Sequence, residues 1–283
     1  MPLTRREMII ATIAASGLPL AGTALQAAPP ATAARKKRIL FFTKSSGFEH
    51  QTIRRIGGKL SVAETIFTHI AQAHGYAVHC SKDGRLFDPS RIHQWDAFAF
   101  YTTGDLTQRG TDGHPPMPMA GKKAFLKALS DGCGFVGLHC ATDTFHSRPG
   151  KISDYIQMIG GEFAGHGGQQ VATNVIVDSK FPGISAFGIK SFRLLEEWYT
   201  FSNLARDLHA ITMLDTHGMA GSLYHRPNYP NCWIRRNGKG RVFYSALGHR
   251  EATWKNPAFQ KLVIGGLDYV TRRIHSDAAT GLH

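Results

Sequence analysis

The stretch "GFVGLHCATDTFH", residues 134–146, constrains the fold more than any other part of the chain. Gly134 to Leu138 is short, apolar and uninterrupted, the pattern of a strand buried on both faces of a parallel sheet. It stops abruptly, and His139, Cys140, Thr142 and Asp143 follow together. In α/β enzymes such a strand-to-helix turn carries reactive groups, commonly as Gly-x-nucleophile-x-Gly. Counted from Gly137, the nucleophile position is His139, and Cys140 falls one residue late. The motif alone leaves three readings open: a cysteine hydrolase, a histidine or metal site, or a hydrolase-like fold without hydrolysis.

The surroundings repeat the same grammar. "KRILFFTK" (37–44) reads as a first buried strand running into the polar loop "SSGFEHQTI". Ser61 and Glu64 form a capping-box pattern ahead of the helical run "VAETIFTHIAQAHG", which Gly75 ends. "YAVHCSKD" (76–83) and "DAFAFYTTGD" (96–105) read as strands, and "KKAFLKALSDG" (122–132) as a helix. This βαβ alternation predicts a doubly wound sheet with its site at the C-terminal strand edge. Further on, "ISDYIQMIGGEF" reads as helical, and "ATNVIVD" (172–178) and "HAITMLD" (209–215) as strands. Two β-rich runs flank Asn237-Gly238, a hairpin signal. "PAFQKLVIGGLDYVTRRI" closes the chain as an amphipathic helix with Pro257 in its first turn. No repeat or linker interrupts residues 34–283, which are read as one domain.

The first 33 residues carry a different message. Arg5 and Arg6 precede the mild apolar run "MIIATIAASGLPLAGTAL", broken by Gly17, Pro19 and Gly22. That pattern reads as a twin-arginine export signal rather than a spanning helix, with cleavage expected after Ala27 or Ala33. The expected location is periplasmic or secreted, with no stable membrane insertion after cleavage. About 250 residues then remain, enough for one sizeable α/β core. Lys plus Arg exceeds Asp plus Glu by 13. Apart from "RKKR" at 35–38 the cations are scattered, so nucleic acid is not the expected partner. Cys133 and Cys140 flank one strand, about 20 Å apart, too far to bridge. Mostly free, buried cysteines are expected among Cys80, Cys133, Cys140 and Cys232.

Polar groups follow several of these strands and point toward one crevice: Phe48, Glu49 and His50 after the first, and His139 to Asp143 after the central one. His166 and Gln169 lie among glycines in "EFAGHGGQQ", Glu196 to Tyr199 lie in "LLEEWYTF", and His249 follows "RVFYSAL". A thiol hydrolase would need Cys140, His249 and Glu251 as nucleophile, base and orienting carboxylate. A divalent metal such as zinc would take His139, His166, Glu197 and His249. A sugar pocket without metal would use the same imidazoles and carboxylate as hydrogen-bonding and acid/base groups.

Four segments together resemble one known family: "GFVGLHCATDTFH", "GGEFAGHGGQQVATNVIV", "LLEEWYTF" and "GKGRVFYSALGHREATWKNPAFQKLVIGGLDYV". With "RILFFTKSSGFEH", they resemble the trehalose-utilisation (ThuA-like) family over nearly all of residues 37–272. The resemblance implies a fold similar to class I glutamine amidotransferases: a flavodoxin-like three-layer α/β/α sandwich, a mostly parallel sheet, and here a β-hairpin near the C-terminus. It puts a histidine where the amidotransferase has its cysteine, which argues against that activity. Matched to the family's motifs, the pocket residues are His50, His139, Asp143, His166, Glu197 and His249. The implied function is carbohydrate processing, on a disaccharide or glycoside in its keto form. In that reading His139, His249 and Glu197 do the chemistry, and Tyr101, Trp198 and Tyr199 offer stacking surface. A non-catalytic sugar-binding module is the alternative. A small sugar is the expected partner, and a homo-oligomer remains compatible. Arg235 and Arg236 stand where relatives carry a His or Glu, which suggests a more anionic ligand.

Overall fold

The structure, a computed structural model, describes residues 35–274. The segment read as an export signal, residues 1–33, therefore lies outside the described residues. Among those residues no helix is long and apolar enough to cross a membrane.

β1 (Arg38–Phe42) is "RILFF", a basic first residue followed by four apolar ones, and Ile39 to Phe42 are fully buried. α1 (Val62–Ala73) begins at the expected capping box: Ser61 Oγ accepts from the Glu64 amide and Glu64 accepts from the Ser61 amide. β2 (Ala77–Ser81), β3 (Ala97–Phe100), α2 (Met119–Asp131) and β4 (Gly134–Leu138) follow in the predicted order. α3 (Asp154–Ile159) stops at Gly160, whose φ of 92° is left-handed. Its predicted tail, Glu162-Phe163, instead starts β5 (Glu162–His166). β6 (Gln170–Ile176), β7 (Ser191–Glu196), β8 (Tyr199–Ser202) and β9 (His209–Asp215) precede the hairpin of β10 (Tyr229–Asn237) and β11 (Gly240–Ser245). The turn itself is Gly238-Lys239, because Asn237 already pairs with Gly240, and Gly238 supplies the positive φ of 57°. α4 (Glu251–Lys255) and α5 (Pro257–Val270) close the fold, with Asn256 capping α5 ahead of Pro257.

Nine strands form one sheet in the order β2-β1-β3-β4-β11-β10-β9-β6-β7. The first five are parallel and follow the flavodoxin order. The last four pair antiparallel with their neighbours. Parallel pairing needs crossovers, supplied by α1 and α2, whereas antiparallel pairing needs only short returns. The β1-to-β2 crossover runs one way along the sheet and β3-to-β4 the other, so right-handed crossovers place α1 and α2 on opposite faces. α4 and α5 pack with α1, and α3 packs with α2, giving three layers. β5 and β8 form a separate two-stranded ribbon. All four cysteines are free, as expected, but only Cys140 and Cys232 are buried, Cys80 and Cys133 being half-buried.

Candidate functional site

Three parallel strands, β1, β4 and β11, each lead at their C-terminal ends to one group, and the link between β7 and β8 supplies the fourth. His139 is the first residue after β4, and its φ of 44° is left-handed for a residue with a Cβ. The turn is held from both sides: the Tyr244 hydroxyl donates to the His139 carbonyl (2.7 Å), and His139 Nδ1 donates to the Ala246 carbonyl (2.9 Å). His249 follows β11 through Gly248, whose φ of 123° suits glycine. Gly248 N donates to Glu196 Oε1, and its carbonyl accepts from the Tyr101 hydroxyl and Trp254 Nε1. Glu197 sits in the link between β7 and β8, its amide donating to Glu196 Oε2. His50 opens the short turn Gln51–Ile53 beyond β1.

These four side chains converge, with one donor atom from each lying within 4.8 Å of all the others. Glu197 Oε2 is 3.5 Å from His139 Nε2 and 3.2 Å from His249 Nδ1, which is itself 3.3 Å from His139 Nε2. Burial works against ionisation of Glu197, yet the close approach of the His139 and His249 rings outweighs it and holds the carboxyl well below its usual range. Burial, reinforced by the imidazoles of His139 and His249, pushes His50 down to about 2, so its ring is neutral. His50 Nδ1 is buried without a hydrogen-bond partner. Three imidazoles around one carboxylate are a donor set suited to a zinc-like cation. In that set His50, rather than His166, completes the expected His139, Glu197 and His249.

The other expected residues divide. His166 lies at the exposed edge, its Nδ1 3.3 Å from Glu197 Oε1. The Tyr199 ring packs 4.4 Å from that of His139, and its hydroxyl is 3.5 Å from His50 Nε2. Tyr101 and Trp198 are fully buried, with Trp198 Nε1 donating to the Gln170 carbonyl, so they wall the site and offer no stacking face. Asp143 belongs elsewhere. It accepts from His146 Nε2 (2.7 Å), whose Nδ1 faces Glu162 Oε1, beside a second cleft of about 340 Å³. The thiol triad is not assembled. Cys140 is fully buried, burial raises its thiol well above the usual range, and Glu251 pairs with Lys255. Arg235 is tied to Asp207 and to the carbonyls of Gln157 and Met158, which removes it as an anion-binding group.

A cleft of about 360 Å³ adjoins His249, lined by Phe48, Gln51, Thr52, Gln169, Arg250 and Glu251. Phe48 is 67 % exposed and stands edge-on to His50 at 4.9 Å. It is an exposed aromatic face beside the site, whereas the expected stacking residues Tyr101, Trp198 and Tyr199 are all buried. The signal was a large apolar residue inside the polar loop "SSGFEH".

The family model described as ThuA, trehalose utilisation, matches residues 38–270. Among solved structures, a ThuA-like protein from Bacteroides uniformis is similar with a TM-score of 0.64 at 16% identity, over 86% of this chain and 95% of that one. A ThuA-like protein from Parabacteroides merdae gives 0.60 at 14%, over 88% and 98%. A cytoplasmic protein, STM3548, from Salmonella typhimurium gives 0.54 at 10%, over 82% and 98%. At these identities the likeness establishes the fold. No curated protein matches the sequence.

Proposed function

The chain belongs to the trehalose-utilisation (ThuA) family, and from that premise we propose that it is an exported enzyme acting on a keto-disaccharide or keto-glycoside. The observation that carries this reading is the convergence of His50, His139, Glu197 and His249 within 4.8 Å, beside a cleft of ligand size. Such a set suits proton transfer next to a carbonyl. His139 and His249 take and return the proton, and the Glu197 carboxylate balances the imidazolium that forms. Phe48 gives the sugar ring an apolar face to lie on. The same donors fit a divalent cation, which when bound would polarise the sugar's carbonyl oxygen. The exported location is supported by Arg5-Arg6 and the broken apolar run behind them.

The test is turnover of a 3-keto disaccharide, followed by mass spectrometry, with and without added Zn²⁺, for the wild type and His139→Ala. Turnover that falls at least 100-fold in the variant supports the proposal. Tight sugar binding without turnover in the wild type, with or without metal, would establish a binding module instead.

A further inference from the structure

Four potential ligands surround the same point, but they are not equivalent, and the hydrogen bonds behind them distinguish their roles. Arg250 lies on the cleft side of His249, and its guanidinium donates to Gln169 Oε1. A guanidinium has donors only, so the Gln169 oxygen is fixed on that side. The amide nitrogen is thereby turned to His249 Nε2, 2.9 Å away. An amide N–H can only donate, which makes His249 Nε2 the acceptor. The ring hydrogen of a neutral His249 must then reside on Nδ1, the atom 3.2 Å from Glu197 Oε2 and 3.3 Å from His139 Nε2.

His139 is set the opposite way. The Ala246 carbonyl can only accept, so Nδ1 carries the hydrogen and Nε2 presents a lone pair. His139 Nε2 and Glu197 Oε2 are thus two acceptors 3.5 Å apart, and His50 adds a buried ring with an unpartnered nitrogen.

We propose that Gln169 and Arg250 are positioning residues that hold His249 as the Nδ1–H tautomer. His249 then offers a proton, while His50, His139 and Glu197 form the cation-binding set. Outer hydrogen bonds commonly fix ring tautomers in this way. The catalytic meaning rests on the function proposed above, but the tautomer does not.

The experiment reads the resting protein, labelled with ¹⁵N-histidine and free of metal, by long-range ¹H–¹⁵N spectra at about pH 8, above the ordinary histidine range. His249 is expected to show a protonated Nδ1 and a lone pair on Nε2. Gln169→Glu keeps the pairing with Arg250 but offers His249 Nε2 an acceptor, so the tautomer should reverse. A fourth ligand, the third nitrogen of the set, then becomes available, and Zn²⁺ affinity measured by calorimetry should rise about tenfold or more while kcat falls. Arg250→Leu frees the amide to flip and should give mixed tautomers, whereas Arg250→Lys retains a donor and should restore the wild-type spectrum. An Nε2–H tautomer in the wild type overturns the assignment, as does unchanged Zn²⁺ affinity in Gln169→Glu. Absence of sugar turnover with the expected spectra would instead remove the functional reading and leave this assignment standing.

Discussion

Replacing His139 by alanine and, separately, by glycine separates the imidazole's chemistry from the backbone that carries it. Both variants lose the hydrogen bond to Ala246 and the ring packing against Tyr199, so those losses cancel in the comparison. What remains is the left-handed backbone at φ 44°, which costs a residue with a Cβ about 1–2 kcal/mol. Against that, glycine gives the unfolded chain more freedom, worth about 0.4–1 kcal/mol. The glycine variant should therefore be more stable than the alanine variant by about 1 kcal/mol. For a chain of this size that is about 2–4 °C in Tm, measurable by scanning calorimetry. The same pair at Leu138, where φ is −122°, serves as a control and should favour alanine. An alanine variant at 139 that melts at or above the glycine variant would refute the claim that strain is held at this turn.

Cys140 should resist iodoacetamide in the folded protein, and Cys140→Ser should keep at least half of wild-type turnover; rapid labelling of Cys140 would revive the thiol mechanism. Phe48→Ala should raise KM roughly fivefold with kcat unchanged, corresponding to about 1 kcal/mol of uniform binding. A loss confined to kcat would remove Phe48 from the sugar-binding face. His146 is raised chiefly by its hydrogen bond to Asp143, then despite burial by Glu162. A raised folded-state value means that its contribution is complete below about pH 6.5 and is lost as pH climbs through that raised value. The Tm difference between wild type and His146→Gln should therefore shrink as pH rises above 6.5, and a gap that widens would contradict the pairing.

What the sequence made legible was local. The capping box of Ser61 and Glu64, Pro257 at a helix start and the glycine of the hairpin all act within a few residues, and each is where it was expected. The strand ends also located His139 and His249, because a parallel sheet sends them to one edge. Long-range pairing was less legible. Glu197 reaches the site because β8 pairs with β5 across almost forty residues, Glu162 opposite Ser202, and no local pattern announces such a ribbon. Exposure was the other hidden quantity. Phe48, Tyr101 and Trp198 are all large aromatic residues beside polar ones, and only three-dimensional packing shows that Phe48 alone faces solvent. Asp143, four positions after His139, goes with His146 because the turn between them carries it away from the imidazoles.

The four converging residues are His50, His139, Glu197 and His249, which spaces them along most of the chain's synthesis. At translation rates of about 5–20 residues per second, the interval between adding His139 and adding His249 is roughly 5–20 s. Throughout that interval β4 has no β11 to pair with, and the carbonyl of Ala246 that orients the His139 ring does not yet exist. A cation offered to the nascent chain before then would meet an unoriented His139 ring. Any cation held at this edge would be loaded only after β11 has joined β4, so the folded sheet, rather than the order in which side chains leave the ribosome, would govern the choice of ion.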